Sequence, residues 1–252
     1  MTLPAIGIIP ARYASTRFPG KPLCAIAGKS MIRRVYEQAS KSSALARVIV
    51  ATDDDRIFQH VKDFGGEAMM TSEAHNSGTA RLGEVVKRLA SEETGFNYKV
   101  VVNIQGDEPF IDPLQIDLVV SQFENQDTQI STLISRISKT EMLLNPNVVK
   151  VVTDNYGKAI YFSRSPIPFM RGEEQQHWVG KTDYYKHIGL YAYDASVLLT
   201  IIDLPPAPPE ITESLEQLRW IYHGFRINTA ITDIETVGID TPEDLQKLTN
   251  IA

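Results

Sequence analysis

The sequence contains a single cysteine, Cys24, and this excludes a disulfide bond within the chain. One cysteine in 252 residues is typical of proteins in a reducing compartment, so we expect a cytoplasmic location. Long apolar runs are also absent. The longest, residues 195–202, includes Ser196 and Thr200, whereas about 20 apolar residues are needed to cross a bilayer. We therefore expect no membrane association.

An excess of positive charge is missing too. The net charge is −6 at pH 7, which argues against a nucleic-acid-binding protein, because such proteins usually carry basic surfaces. The charge is distributed unevenly, however: residues 1–52 contain eight basic side chains and one acid, and the rest of the chain carries −13. This basic first quarter predicts a local site for a small polyanion. The alternative is that some of these cations are solvated helix charges.

Short apolar runs alternate with helical patterns through the first half of the chain. Residues 5–9, 48–51 and 100–104 are mostly apolar segments of the kind found in strands buried on both faces. Helical patterns follow these segments, for example over residues 31–39 and after Asp112-Pro113, where a capping residue precedes proline. The alternation predicts an α/β fold with a parallel sheet and helices on both faces.

From about residue 130 the pattern changes. Strand-like segments at 148–152, 159–162 and 188–193 follow one another with less helix between them. No linker-like segment divides the chain, so we expect a single domain over residues 1–252. Within it, residues of about 130–215 are expected to form an inserted mixed-sheet region.

One helix of this later half is predicted over residues 212–222, after a stiff proline-rich loop at 205–209. Leu215, Leu218 and Ile221 recur at helical spacing and are expected to face the core. Glu216 and Gln217 lie outside that apolar stripe, so a solvated face is the default expectation for both.

The segment with the most candidate functional residues follows the first predicted strand, where open α/β sheets bind their ligands. Residues 10–23 place Arg12, Arg17 and Lys21 within ten positions of one another and include no acid. Distributed positive charge and guanidinium groups suit a triphosphate. The segment is not a Walker A loop, because Ser15 replaces its first glycine and Pro22 replaces its Ser/Thr. We predict phosphate binding here, with a solvated basic loop as the alternative.

A second segment, residues 105–109, follows the clearest predicted strand. Its Asp107 is a candidate ligand for Mg²⁺, which prefers one or two carboxylates together with phosphate oxygens. A turn or capping role is the alternative for this residue. Asp240 is the candidate for the second carboxylate, because it lies just outside a helix predicted to begin at Thr241-Pro242. The spacing does not distinguish this role from that of an ordinary loop acid.

Three further segments carry candidate residues. Residues 76–81 open a predicted helix whose N-terminus suits an anion. Arg164 follows a predicted strand and suits a ligand that bears a carboxylate, whereas His187 precedes an apolar strand, where a structural role is more common. No Cys/His cluster indicates zinc, and no Gly-x-Ser-x-Gly motif indicates a hydrolase.

Taken together, these segments resemble one family, the 3-deoxy-D-manno-octulosonate (Kdo) cytidylyltransferases, also called CMP-Kdo synthetases. The first and most specific match is Ile8-Ile9-Pro10-Ala11-Arg12-Tyr13. The other matching segments follow in order over nearly the whole chain: residues 15–17, 19–23, 51–53, 77–79, 105–109, 161–164, 186–187, 213–219 and 240–245.

The resemblance implies a Rossmann-like nucleotidyltransferase fold with a mostly parallel mixed sheet, and a homodimer formed through the middle region. It implies that CTP and Kdo react to give CMP-Kdo and pyrophosphate, with Mg²⁺ as cofactor, for lipopolysaccharide biosynthesis. The nucleotide would be bound by Ala11, Arg12, Arg17, Lys21, Asp53 and Gly78. The catalytic residues would be Lys21, Asp107 and Asp240, of which the two aspartates hold the metal. The sugar acid would be bound by Arg81, Gln105, Arg164, His187, Tyr191, Glu216 and Gln217.

Two positions depart from the family pattern. Ala80 stands where the family usually has an acid, and Asp194 stands where many relatives carry a basic residue. We expect Asp194 to lie at the edge of the sugar site, and either change to bear on an 8-amino variant of Kdo as substrate. The nearest rival function is a cytidylyltransferase for another sugar acid such as a sialic acid, although such enzymes have a different first loop. A rival from another class is a non-catalytic nucleotide-binding module.

Overall fold

The computed structural model describes residues 4–14, 18–92, 97–235, 238–239, 241 and 243–244. The strands, in chain order, are β1 Ala5–Ala11, β2 Ala25–Ile26, β3 Lys29–Ser30, β4 Leu45–Thr52, β5 Ala68–Met70, β6 Val100–Asn103, β7 Ile130–Arg136, β8 Lys150–Thr153, β9 Ala159–Ser163, β10 Tyr185–Asp194 and β11 Ile227–Ile231. The α-helices are α1 Met31–Ala39, α2 Asp55–Asp63, α3 Gly78–Glu92, α4 Pro113–Ser121, α5 Thr140–Leu144, α6 Ala195–Ile201, α7 Pro208–Glu213 and α8 Gln217–Tyr222. Single turns of 3-10 helix occur at Lys21–Leu23, Gln122–Glu124 and Gln175–His177. Within the described ranges, none of these helices combines the length and the apolar character needed to cross a membrane.

The central sheet has the strand order β11-β7-β10-β6-β1-β4-β5, with β8 and β9 attached beside β10. Strands β1, β4, β5 and β6 pair in parallel, as do β7 and β11. Strand β10 runs antiparallel to both of its neighbours in the row, β6 and β7. The sheet is therefore mostly parallel, and the predicted α/β architecture is confirmed. Strands β1, β4 and β6 end at the same edge of the sheet, and the candidate nucleotide-binding residues follow them there.

Helices cover both faces of the sheet, because alternate residues of a strand point to opposite sides. On one face, the side chains of Ile9, Val50 and Val102 belong to a core that also contains residues of α1, α2 and α4. On the other face, Ile8, Ile49 and Val101 belong to a core with residues of α3, α6 and α8. Burial on both faces explains why β1 and β6 are such uniformly apolar segments.

Capping residues set the starts of the helices where the sequence predicts them. The Asp54 side chain accepts hydrogen bonds from the backbone N–H groups of Arg56 and Ile57, at the start of α2. Asp112 accepts one from Leu114 N, with Pro113 as the first helical residue of α4. Each bond satisfies a donor that has no partner within its helix.

The predicted mixed-sheet region contributes to the central sheet as well as extending it. Strands β7 and β10 lie inside the sheet, whereas β8 and β9 form an antiparallel hairpin on the side of β10. Beneath this region a separate cluster buries Ile137, Leu143, Trp178 and Tyr184. The region therefore joins the nucleotide-binding half where residues 191–194 of β10 pair with β6.

The prediction of one helix over residues 212–222 is wrong in two respects. Helix α7 begins at Pro208, inside the proline-rich segment, because proline is tolerated at the first helical positions. It ends at Ser214, which adopts a left-handed conformation (φ 52°), and α8 begins at Gln217. Leu215 and Leu218 are buried as expected. Gln217, however, is also buried, so the expectation of a solvated face is wrong for this residue.

Candidate functional site

The three segments that form the candidate site converge on Pro10, near the end of β1. A Cβ atom added to Gly106 would lie 2.8 Å from the Pro10 carbonyl oxygen, and one added to Gly78 would lie 3.2 Å from the Pro10 ring. Any larger residue at position 106 would therefore displace backbone. This close approach brings the start of α3 and the 105–109 segment against β1, as the positions of the motifs predict.

The loop after β1 folds back on itself before it reaches Lys21. The Gly20 N–H donates a 3.0 Å hydrogen bond to the Tyr13 carbonyl. Gly20 has a φ of 72°, and a Cβ at this position would lie 3.2 Å from the Tyr13 ring, so the turn favours glycine. Arg12 is half-buried in this loop. Arg17, the third predicted phosphate ligand, lies outside the described residues.

Lys21 and Asp107, both predicted to be catalytic, form an ion pair. Lys21 Nζ donates to Asp107 Oδ2 at 2.7 Å and to the carbonyl oxygen of Ile239 at 3.0 Å. The Ile239 N–H in turn donates to the Asp107 carbonyl oxygen at 3.0 Å. A lysine from the first loop, an aspartate from the end of β6 and the chain near residue 239 are thus held together. Asp240, the predicted second metal ligand, lies outside the described residues.

Two predicted ligands of different substrates pair with each other inside the protein. Arg81 Nη2 donates to Asp53 Oδ2 at 2.6 Å, and Arg81 Nη1 contacts the hydroxyl of Thr71. The Arg81 side chain is fully buried, whereas that of Asp53 is 14% exposed. The guanidinium of Arg81 therefore faces the end of β4 rather than the open part of the site. Its role in binding a sugar acid stays a prediction, and the geometry gives it a structural partner.

Strand β10 bulges where it passes the end of β6. The pairing with β7 shifts register between Ile188 and Tyr191. Gln105, a predicted sugar-acid ligand, donates from Nε2 to the Gly189 carbonyl oxygen at 3.0 Å. The buried hydroxyl of Thr132 lies 2.9 Å from the Leu190 carbonyl oxygen on the same bulge. A bulge next to a site re-aims side chains, and this one lies between His187 and Tyr191 in the chain.

His187 lies between aromatic rings and is electrically neutral. Its imidazole contacts Phe162 edge-on, with ring centroids 5.1 Å apart, and Tyr191 at 5.2 Å. Desolvation lowers the pKa of His187 from 6.5 to about 3. His187 Nε2 lies 3.0 Å from Thr132 Oγ1, which accepts from Nε2–H when its own proton is donated to a carbonyl. The imidazole of this predicted site residue is therefore neutral and hydrogen-bonded to Thr132.

Glu216 connects the two halves of the site. It lies in the break between α7 and α8, and its carboxylate accepts a 2.8 Å hydrogen bond from the Thr79 hydroxyl at the start of α3. Below it, the hydroxyls of Tyr191 and Tyr193 are buried with no hydrogen-bond partner in the described part of the chain. Desolvation, with the nearby Glu216 charge, raises the pKa of both phenols well above 10. Both phenols therefore stay protonated near neutral pH.

Arg164 contacts backbone rather than open space. Its Nε donates to the Glu213 carbonyl at 2.7 Å, its Nη1 to that of Pro146 at 3.1 Å, and its Nη2 to that of Ser214 at 3.4 Å. Gln217, two residues beyond Leu215, is buried at the start of α8. Both residues thus lie beside Glu216, and their roles as ligands stay predictions.

The two departures from the family pattern lie in different places. Ala80 lines a cavity of about 480 Å³ that is also bordered by Ser77, Glu216 and Arg219. Asp194 caps helix α6 by accepting from Ser196 N and pairs in the sheet with Val100, at the start of β6. Since the site lies beyond the other end of β6, the expectation that Asp194 borders it is wrong.

Sequence reasoning missed two residues that hold the site together. Thr79 lies within the Ser-Gly-Thr segment but was not assigned a role, although a hydroxyl at a helix start is a common ligand or capping group. Thr132 lies in the middle of β7, where nothing in the local pattern distinguishes it from any other buried strand residue.

Comparison with known proteins agrees with this geometry. A family model described as "Cytidylyltransferase" matches residues 6–231. The 3-deoxy-manno-octulosonate cytidylyltransferase of Parabacteroides distasonis is 52% identical over 246 residues, which cover 96% of this chain and 95% of the relative. The enzyme of the same name from Porphyromonas gingivalis is 50% identical over 250 residues, which cover 98% and 96%.

Solved structures give the same result. The structure of CMP:2-keto-3-deoxy-manno-octonic acid synthetase complexed with CTP matches with a TM-score of 0.89 at 42% identity, over 98% of both chains. A 4-diphosphocytidyl-2C-methyl-D-erythritol synthase from Anaerococcus prevotii matches with a TM-score of 0.62 at 12% identity, over 100% of this chain and 99% of that one, and shares the fold alone. The predicted Rossmann-like nucleotidyltransferase fold is confirmed. The chain belongs to the 3-deoxy-manno-octulosonate cytidylyltransferase family.

Proposed function

We propose that this protein transfers the CMP group of CTP to Kdo, giving CMP-Kdo and pyrophosphate, and that the product supplies lipopolysaccharide biosynthesis. The observation that carries the proposal is the ion pair between Lys21 and Asp107, 2.7 Å apart at the edge where three parallel strands end. It brings together the cation of the first loop and the acid that follows β6. The family relationship supports the choice of CTP and Kdo as substrates.

In the proposed reaction the anomeric hydroxyl of the sugar attacks the α-phosphorus of CTP, in line with the departing pyrophosphate. The bond between the sugar oxygen and phosphorus forms as the bond to pyrophosphate breaks. Such chemistry depends mainly on positioning and on neutralising phosphate charge. Arg12, Arg17 and Lys21 supply that charge, while Gly78 and Gly106 let their segments pack closely against Pro10 beside them. Gly78 is also part of the proposed nucleotide site. Ala11 and Asp53 complete the proposed nucleotide site.

Magnesium is part of the proposal. Asp107 presents a carboxylate of the kind that Mg²⁺ prefers, and Ile239, bonded to Asp107, directly precedes Asp240 in the chain. Among the described residues, no group of three or more His, Cys, Asp or Glu side chains forms a metal cluster. An ion held by these two aspartates would take its other ligands from phosphate and water. When bound, it neutralises phosphate oxygens and lowers the pKa of the attacking hydroxyl.

The sugar acid is proposed to lie between Gln105, His187, Tyr191 and Glu216. A neutral imidazole does not repel or attract a charged ligand strongly, so it acts as a hydrogen-bonding group at physiological pH. The Glu216 carboxylate accepts hydrogen bonds from sugar hydroxyls, while the Tyr191 hydroxyl donates one. The acid group of the sugar then faces the cations of the first loop.

Pyrophosphate release with CTP and Kdo, with and without Mg²⁺, tests this function. We expect turnover that a chelator abolishes and Mg²⁺ restores. Asp107→Asn is expected to lower kcat by about 100-fold or more, since it removes charge at the reacting phosphate. Asp127→Asn makes the same substitution at an exposed position in the loop before β7. It is the matched control and is expected to keep full activity. Undiminished turnover in Asp107→Asn would contradict the metal role.

The same assay separates the rival functions. Release with N-acetylneuraminate alone would contradict the choice of Kdo, and comparison of Kdo with 8-amino-Kdo would decide between those two substrates. CTP binding without turnover on any sugar acid would favour the non-catalytic nucleotide-binding module.

A homodimer formed through the middle region is also proposed. Three large apolar side chains are exposed on the β8–β9 hairpin and the loop after it: Tyr156 at 79%, Ile160 at 55% and Phe169 at 73%. Exposed apolar side chains in one region mark an interaction surface. Sedimentation of the wild type and of the Ile160→Lys/Phe169→Lys double variant tests this. We expect the wild type to be a dimer and the double variant a monomer, and a monomeric wild type would contradict the proposal.

A cytoplasmic location is proposed as well, on the basis of the single cysteine.

A further inference from the structure

Lys150, the first residue of β8, is fully buried. Its ammonium group donates to three backbone carbonyl oxygens: those of Asn145 at 2.9 Å, Val148 at 2.6 Å and Arg164. A buried cation is costly unless its donors are satisfied, and here each of its three protons has an acceptor. The amine therefore joins the turn before β8 to the end of β9.

Arg164 extends this network towards the site. Its carbonyl oxygen is held by Lys150, while its guanidinium donates to the carbonyl oxygens of Glu213 and Ser214. The Glu213 carboxylate accepts from Ser163 Oγ at 2.6 Å and from Arg164 N at 2.9 Å. The end of α7 is thus fastened to the end of β9 through both backbone and side chain.

Two charged side chains of the network act on Lys150 in opposite directions. Desolvation lowers the pKa of the Lys150 amine, Glu213 opposes that change, and Arg164 reinforces it. Removing the ammonium would take this donor from the carbonyl oxygens of Val148 and Arg164 and leave that of Asn145 with only the Val148 N–H. Glu213 would then face one cation fewer. Partly satisfied buried networks of this kind rearrange rather than persist.

The network supports two residues of the proposed sugar-acid site. The fastened turn at Glu213 and Ser214 comes directly before Leu215 and Glu216, whose carboxylate contacts Thr79. On the other side of Lys150, the carbonyl oxygen of Val149 accepts a 2.8 Å hydrogen bond from His187 N. Both contacts lead to the sugar-acid half, whereas none of the Lys150 bonds reaches the loop that contains Lys21.

We infer that Lys150 is a positioning residue for the sugar acid: through Arg164 and the Glu213–Ser214 turn it sets the place of Glu216. This inference rests on the proposed function. It assigns Arg164 the same supporting role, because the guanidinium is already engaged by backbone carbonyls. Lys150 itself touches neither substrate.

The test compares the steady-state kinetics of Lys150→Met with those of the wild type. Methionine is an unbranched side chain one atom shorter than lysine, and it removes the donors. We expect the KM for Kdo to rise about tenfold or more while the KM for CTP changes less than about twofold. Lys139→Met, at an exposed position just before α5, is the control and is expected to match the wild type. Unchanged KM values, or equal increases for both substrates, would overturn the inference.

A second variant decides the matter if Lys150→Met does not fold. Glu213→Gln keeps one acceptor, for Ser163, and removes the charge that faces Lys150 and Arg164. It also replaces the oxygen that accepts from Arg164 N with an amide NH2 group, so it loosens the same turn. The same selective increase in the KM for Kdo would support the inference, and an unchanged KM would overturn it. Failure of the proposed function is recognised separately, because the wild type itself would then show no turnover with CTP and Kdo.

Discussion

The hydroxyl of Thr79 donates a 2.8 Å hydrogen bond to the carboxylate of Glu216, across 137 residues of sequence. Thr79 follows Gly78, which packs against Pro10 near the end of β1. Glu216 lies in the break between α7 and α8, which packs over the other half of the sheet. This hydrogen bond therefore links the proposed nucleotide-binding half to the proposed sugar-acid half directly, in addition to the pairing of β6 with β10.

Replacing Thr79 with valine removes this bond and keeps the shape of the side chain. A hydrogen bond to a charged group contributes about 1.5–3 kcal/mol, so we expect kcat/KM for Kdo to fall about 10- to 100-fold. CTP binding, measured by calorimetry without the sugar, is expected to stay unchanged. Thr79→Ser retains the hydroxyl and serves as the control. Full activity of the valine variant together with a loss in the serine variant would show that the methyl group, not the hydrogen bond, matters.

The buried pair of Arg81 and Asp53 gives a different expectation. Breaking a buried ion pair by removing one partner costs about 3–5 kcal/mol, because the remaining charge is left without compensation. Arg81→Met is therefore expected to lower the free energy of urea unfolding by about that amount. Adding Asp53→Ala is expected to restore part of the loss, since no charge is then left unpaired. A fully stable Arg81→Met with weakened Kdo binding would instead support the ligand role that the family resemblance implies.

Much of the nucleotide half could be predicted from sequence because its signals are local. Strands buried on both faces are continuous apolar segments, and ligands of such sheets follow the strand ends. Lys21 and Asp107 both follow predicted strands, so their meeting at one edge required only that the strands be parallel neighbours. The pairing of Arg81 with Asp53 was not predictable in this way. An arginine suits any anionic partner and an aspartate any cationic one, so the sequence does not show that these two side chains bind each other.

The sugar-acid half depends on contacts that no local pattern records. The 212–222 segment has helical periodicity, yet Ser214 breaks the helix, and the break turns Glu216 towards Thr79. Lys150 has the residue type of a surface position, and only its three carbonyl acceptors explain its burial. Tertiary contacts override both local signals.

Ala80 is a position at which an acidic residue is expected to stabilise the fold. The Ser77 hydroxyl accepts a 3.2 Å hydrogen bond from Ala80 N, which places Ser77 at the N-cap and Ala80 at the third position of α3. An acid at this position completes a capping box by accepting from the Ser77 N–H. We expect Ala80→Glu to raise the free energy of unfolding by about 0.5–1 kcal/mol, and the cavity beside Ala80 has room for the side chain.

Ala80→Gln is the companion variant, since glutamine supplies the same acceptor without the charge. A smaller increase for glutamine than for glutamate would assign the difference to the helix dipole. No stabilisation by either would show that the acid usual at this position in the family serves a ligand rather than the helix.

The lowered pKa of His187 predicts how the free energy of unfolding depends on pH. Its pKa of about 3 in the folded protein lies below the value of 6.5 for a solvated imidazole. Between these two values the unfolded chain binds more protons than the folded one, so the folded state loses stability as the pH falls through this range. Between pH 7 and pH 5 this one group is expected to account for about 2 kcal/mol of the loss.

Urea unfolding at pH 7 and pH 5 measures that loss. The wild type is expected to lose about 2 kcal/mol more than His187→Gln, which has no titratable group at this position. His177→Gln, at an exposed position, is the control and is expected to follow the wild type. If His187→Gln and the wild type lose stability equally, the imidazole of His187 is solvated in the folded protein and does not lie enclosed between Phe162 and Tyr191.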